Sequence, residues 1–237
     1  QMIRLTNSAG TQSWLGIEAT GLEFILDYDP LLLTVTNGSM ALNQAPGTSN
    51  KLDWNLAVAE AGAAFNMAIG SAINFTASGS ATVSLDGFLS VTGFFSVTEF
   101  DVTLLGSPDT GYAQLGSDAT GLAIQIDVSA AITGTVSGNG TLKMLRLTNN
   151  TTDESWVGLE GSQLGFTLDY DPLLLSVTNG TVTLNQAPTG KTKLDWNLAA
   201  AQTTDAPFSL AIGSAINFSA SGSATVSLDG FLSVTGF

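Results

Sequence analysis

The chain repeats itself, and this constrains its fold more than any other feature. Residues 2–9 (MIRLTNSA) return as residues 144–151 (MLRLTNNT), an offset of 142. The offset holds through Trp14 and Trp156, through DYDPLLL at 27–33 and 169–175, and through KLDWNLA at 51–57 and 193–199. At GSAINF, 70–75 and 213–218, it becomes 143, so one residue is inserted between Ala59 and Phe65 and that stretch is expected to be a loop. Residues 1–142 form a first repeat, and residues 143–237 a partial second one equivalent to 1–94. The chain is therefore expected to be a window from a longer tandem array. A weaker likeness, LG-xx-ATGL at 15–22 and 115–122, suggests smaller related β units inside each repeat.

Within the repeat, apolar and polar residues alternate with a period of two, the mark of strands rather than helices. Leu22, Phe24, Leu26 and Tyr28 share one parity, and Leu31, Leu33 and Val35 continue on the next strand. The parity switches between Val35 and Met40, across Asn37-Gly38. Asn-Gly is the favoured sequence of a two-residue type I′ turn, so a hairpin is expected there and at Asn179-Gly180. A second hairpin is expected to join Leu52, Trp54, Leu56 and Val58 to Phe65, Met67 and Ile69. The run 56–64 has helical propensity, but its counterpart 198–207 carries Thr, Asp and Pro, which favours strand plus loop.

Residues 73–97 keep one parity throughout: every odd position is apolar or Gly. As one straight strand this stretch would run about 80 Å, several times the usual length. The chain must bend without flipping parity, through odd-length turns, bulges or the corners of a coil. The fold class is therefore all-β, an elongated repeat architecture, either a β-solenoid or a superhelically coiled antiparallel sheet. Tandem immunoglobulin-like β-sandwiches are the alternative.

Charged residues make up 11% of the chain, against roughly 25% in ordinary soluble domains. Six Lys and Arg face twenty Asp and Glu, a net charge of −14 that repels nucleic acid and suits divalent cations. Cys and His are both absent, which removes disulfides, thiol nucleophiles and the usual general base near neutral pH. Residues 1–20 show no apolar leader core, and no apolar run is long enough for a transmembrane helix.

The stretch FTASGSATVSLDGFLSVTGFFSVTEFDVTL (75–104) resembles modules of giant bacterial secreted and surface repeat proteins of the LEPR-XLL or RTX-like kind. The likeness is best over residues 65–142. It implies an extracellular or cell-surface setting and roles in adhesion, surface architecture or matrix. It also implies calcium as a companion ion, although this chain has only the short loop 106–118 where Asp-rich inserts would stand.

Asp27 with Asp29, and Asp169 with Asp171, stand two residues apart on one strand face, about 6.5–7 Å along the strand. Each pair can contribute to a Ca²⁺ site, which needs about six to eight oxygens, or can simply be a solvated strand end. Glu99 and Asp101 flank Phe100 where the apolar parity shifts, as a solvent-facing bulge would. Trp54 and Trp196 follow the inward alternation and are expected in the core. Trp14 and Trp156 break parity with their neighbours and are expected at an exposed contact, with a neighbouring subunit or a sugar. A glycosidase would need two carboxylates across a cleft, and nothing in the sequence marks one. The Phe237 terminus mimics an outer-membrane barrel ending, but Phe94 holds the same place mid-chain. The expectation is a non-catalytic structural repeat protein of an extracellular fibre, matrix or surface layer, associating with itself. The alternative is a repeat-array adhesin or carbohydrate-binding module that takes a cell-surface glycan.

Overall fold

The computed structural model describes residues 1–28, 31–47, 49–60, 62, 66–85, 89–105, 109–132, 136–170, 173–203, 205–228 and 232–236. Eleven strands are described: β1 (Met2–Thr6), β2 (Ser13–Tyr28), β3 (Leu31–Gln44), β4 (Ile73–Leu85), β5 (Leu89–Asp101), β6 (Ala119–Ile132), β7 (Val136–Asn149), β8 (Glu154–Tyr170), β9 (Leu173–Gln186), β10 (Phe218–Leu228) and β11 (Leu232–Gly236). They form one open sheet in sequence order, every neighbour antiparallel. The all-β reading holds. Tandem sandwiches would instead need pairs of facing sheets.

The connections alternate in length. The register leaves two or three residues between Tyr28 and Leu31, Leu85 and Leu89, Ile132 and Val136, Tyr170 and Leu173, and Leu228 and Leu232. At the opposite end lie the long excursions 45–72, 102–118 and 187–217. The constant parity of 75–97 follows from this, while Ile73 is set on the other face by the register shift before Phe75. Leu85 pairs with Leu89 across three residues, and an odd loop returns the chain to the same face.

The parity switch at Asn37-Gly38 has another cause than the hairpin expected from the sequence. Both residues lie inside β3, where Thr36 pairs with Ser80 and Ser39 with Ser78, so they share the single residue Gly79 opposite. This is a β-bulge, and it changes parity as a two-residue turn would. Asn37 carries the left-handed φ of 52°, and Asn179 repeats it at 52° inside β9. A type I′ turn needs two residues with positive φ, whereas the bulge needs one, and Asn is tolerant of that region. A Cβ on Gly79 would stand 3.2 Å from the Gly38 Cα, so the two backbones close together at the bulge.

The second expected hairpin is also replaced. Trp54–Glu60 is an α-helix, α1, and its counterpart is a 3-10 turn, Trp196–Leu198, running into the short helix α2 (Ala199–Gln202). Asp53 Oδ1 accepts from the Asn55 N–H at 3.0 Å, and Asp195 Oδ1 from that of Asn197 at 3.1 Å. These Asp residues start the helical turns by satisfying free N–H groups. The Thr, Asp and Pro that argued against a helix begin only at Thr203, after α2 has ended, so they terminate it rather than forbid it. Leu56, expected inward, is exposed. The extra residue stands in the second copy, between Ala201 and Phe208; in the first copy the matching stretch follows α1, and positions 61 and 63–65, Phe65 included, lie outside the described residues.

Paired residues of adjacent strands share a face, so the register sorts the side chains into two sets. One face carries Val35, Val83, Val91, Phe95, Ile126 and Leu142 and is apolar along the sheet. The other carries rows of hydroxyls towards the short turns, with Thr82 beside Thr92 and Thr225 beside Thr235 at 3.2 and 3.3 Å. Towards the excursions this second face becomes apolar, and the excursions fold down onto it. Every strand hydrophobic that is buried among the described residues belongs there: Ala41, Phe100, Ala119, Ala123, Leu145, Leu147 and Trp156. None comes from the continuous apolar face, over which no described element packs.

Candidate functional site

The most built-up region is the layer of excursions, and its organising unit occurs twice. Asn43 on β3 is buried, and its amide nitrogen donates to the carbonyls of Leu52 (2.9 Å) and Gly70 (3.1 Å). Its oxygen accepts from Trp54 Nε1 at 2.8 Å. Asn185 repeats all three bonds, to Leu194 (2.9 Å), Gly213 (3.2 Å) and Trp196 Nε1 (3.0 Å). One side chain thus ties the outgoing and returning arms of each excursion to the sheet. Gly16 and Gly158 lie under the indoles; a Cβ at either would come within 2.7 Å of the ring. Lys51 and Lys193 donate to Asn74 and Asn217 at the return to the sheet, and Lys51 also pairs with Asp101 at 2.5 Å.

The second unit has an additional layer. The described residues of segment 102–118, which are 102–105 and 109–118, lie against it through Tyr112, whose hydroxyl donates to the Asp195 carbonyl at 3.0 Å. Gln114 joins Thr192 in both directions, donating to its carbonyl (3.3 Å) and accepting from its N–H (3.1 Å). Leu104 bridges to Thr203, and the Leu105 N–H donates to the Gln202 carbonyl at 2.9 Å. Tyr112 and Leu115 are completely buried between this layer and the sheet. Burial, reinforced by the Asp109 and Asp195 carboxylates, pushes the Tyr112 hydroxyl well above the ordinary tyrosine value. A salt bridge from Lys191 to Glu154 at 2.8 Å holds the edge of this unit, and the hydrogen bond from Lys191 lowers the Glu154 pKa.

The four tryptophans divide differently from the sequence expectation. Trp54 and Trp196 are buried as expected. Trp156 is also completely buried, its Nε1 donating to the Thr192 carbonyl at 3.0 Å. Its odd parity places it on the covered face beside Leu147 rather than at an exposed contact. Trp14 makes the same bond, to the Asn50 carbonyl at 2.9 Å, but remains half-buried. The signal missed in the sequence was that the buried face changes along each strand: apolar parity near the excursions is opposite to that near the short turns.

Asp27 and Asp169 are exposed on β2 and β8, opposite Leu32 and Leu174. Asp29 and Asp171, the other halves of the two carboxylate pairs, lie outside the described residues. Among the described residues no three acidic side chains converge as metal ligands would. Glu99 and Asp101 do not mark a bulge of β5. The register shift is in the partner strand, between Ile73 and Phe75, and Phe100 points into the core. A shallow cleft on the apolar face, lined by Glu99, Thr120, Leu122 and Arg146, holds a single carboxylate. A second, on the hydroxyl-bearing face, holds Asp127, which accepts from Thr141 (2.6 Å) and Gln125 (2.9 Å). No described helix is long and apolar enough to cross a membrane. No family model, no curated protein and no solved structure matches this chain.

Proposed function

We propose that this chain is a non-catalytic structural repeat protein of an extracellular fibre, matrix or surface layer, and that it associates with further copies of itself. The observation that carries this reading is the apolar sheet face left without a covering layer. The chain exposes 13171 Å² of surface at 24.3 kDa, where a compact monomer of this mass exposes about 10,000 Å². The excess is roughly 3,000 Å² per chain, or about 6,000 Å² for a pair, at the large end of obligate dimer interfaces, which run from about 2,000 to beyond 5,000 Å² in total. A second copy, face to face, offers the same apolar residues at the sheet-packing distance of about 10 Å. The net charge of −14 does not oppose this. Asp127, Lys143 and Glu160 lie on the other face, and the charges on the apolar side, Arg4, Glu99, Asp101 and Arg146, stand near its excursion end, where Asp101 is paired with Lys51.

The repeat supports elongation. Strands β7–β11 reproduce β1–β5, so one period is six strands of a continuous sheet. At about 4.8 Å per strand, each further repeat would lengthen the sheet by roughly 29 Å. Among the described residues, the clefts lined by Glu99 and by Asp127 each offer one carboxylate where glycoside hydrolysis needs a pair. The sugar-binding alternative loses its recurring aromatic, since Trp156 is buried. Electron microscopy of the chain at rising concentration tests the reading. Elongated assemblies are expected; compact monomers at every concentration would overturn it.

A further inference from the structure

The two copies of the repeat differ in what lies beside them, and the difference outlines a docking site. Strand β7 has neighbours on both sides, β6 and β8. Its counterpart β1 pairs with β2 alone and forms an edge of the sheet. The residues along the two strands correspond: Ile3 to Leu145, Leu5 to Leu147. Leu145 and Leu147 are completely buried, whereas Ile3 and Leu5 are half-exposed. Met2 is 65% exposed, although its counterpart Met144 is half-buried next to Ile124.

The ledge behind the edge shows the same contrast. In the second copy segment 102–118 covers Trp156, Leu194 and Leu198; in the first, their counterparts Trp14 and Leu52 are half-buried and Leu56 is 65% exposed. The polar partners correspond as well. The Asp195 carbonyl that receives Tyr112 has its counterpart in Asp53, and Thr192, joined to Gln114, has its counterpart in Asn50. Both lie on an excursion held by the same Asn–Trp unit, the Asp53 carbonyl accepting from the N–H groups of Leu56 and Ala57 at the start of α1 and the Asn50 carbonyl from Trp14 Nε1.

We propose that the β1 edge, together with the ledge formed by Trp14, Asn50, Leu52, Asp53 and Leu56, is a docking site for a segment with the sequence chemistry of residues 100–126, supplied by a neighbouring repeat. The strand part would add to the sheet edge in the β6–β7 register, placing Ala123 opposite Ile3 and Gly121 opposite Leu5. Tyr112 would cover Trp14 and donate to the Asp53 carbonyl. Glycine at position 121 leaves room for the Phe100 ring, since a Cβ there would lie 2.3 Å from it, so the segment must bring Phe100 with it. The site rests on the proposed function only for the source of the segment. The recognition itself follows from the equivalence of β1 and β7.

The test is titration of a synthetic peptide of residues 100–126 into the whole chain, read by calorimetry and by hydrogen exchange. Saturable one-to-one binding with slowed exchange along β1 is expected. Tyr112→Phe in the peptide should weaken binding about tenfold, as loss of a buried hydrogen bond does, and Leu5→Asp in the chain should abolish it. A second form, with residues 102–142 joined directly ahead of Gln1, serves where the free peptide is insoluble. Its melting temperature should rise by several degrees, and Leu5→Asp should remove that gain. No saturable binding and no gain in the joined form, or effects indifferent to Leu5→Asp, would overturn the proposal. A chain that binds the peptide yet stays monomeric would refute the proposed function and leave this site standing; assembly without peptide binding would do the reverse.

Discussion

The Asn185 side chain accepts the indole N–H of Trp196 at 3.0 Å while donating to two backbone carbonyls, and Asn43 does the same for Trp54 at 2.8 Å. In each copy one buried amide therefore replaces the strand ladder that the excursion gives up. Asn185→Ala would leave the Trp196 indole N–H and the Leu194 carbonyl unpaired in a dry site, the Gly213 carbonyl keeping only its bond from the Ile216 N–H, at a cost of about 2–4 kcal/mol. Asn43→Ala should cost a similar amount, and Asn185→Asp more than a neutral isostere because a buried carboxylate cannot donate to the carbonyls. Denaturant melts of the three variants, read against the parent midpoint, check this. Changes under about 0.5 kcal/mol would show that the excursions are held by something else.

The bulge makes a separate prediction. Asn37 and Asn179 sit at φ 52°, where a β-branched side chain is strained. Asn37→Val should destabilise by about 1–2 kcal/mol, while Asn37→Gly should be close to neutral. Equal effects of Val and Gly in thermal melts would place residue 37 in ordinary extended backbone.

Much of the fold could be read from residues such as these, and the failures share one cause. The alternation of 73–97 and the Leu85–Leu89 return follow from period-two patterning, which is local. The parity switch at Asn37-Gly38 was visible too, but a bulge and a two-residue turn change parity alike, and only pairing with Gly79 tells them apart. Trp156 was misplaced because its burial depends on segment 102–118, some forty residues earlier, and on Thr192 after it. Helix α1 is hidden in the sequence because Thr203, Asp205 and Pro207, which look like part of the matching element, stand beyond its end. The docking edge at β1 had no sequence signal of its own; it emerged only from setting two folded copies side by side.

Tyr112 predicts a pH dependence. Its folded-state pKa is raised above the ordinary 10.0, chiefly by burial. The stabilisation linked to the neutral hydroxyl is thus complete below pH 10 and is lost as pH rises beyond it, because the unfolded state gives up the proton first. Tyr112→Phe should cost about 1 kcal/mol near neutral pH through the lost bond to the Asp195 carbonyl. It should also flatten the decline of stability above pH 10. Urea midpoints of parent and variant between pH 7 and 11 decide it; parallel curves would mean that the hydroxyl titrates as freely as in the unfolded chain.

The central claim is that the uncovered apolar face joins copies of this chain. Val128 and Phe166 lie on that face, each 39% exposed, and Thr92 lies on the opposite one. The most direct measurement is molar mass by light scattering across a wide concentration range for the parent, for the double variant Val128→Lys with Phe166→Lys, and for Thr92→Lys. The account predicts that the parent and Thr92→Lys grow beyond the monomer mass with concentration, while the double variant remains monomeric and folded. A parent that stays at monomer mass throughout, or a double variant that assembles as the parent does, would contradict it.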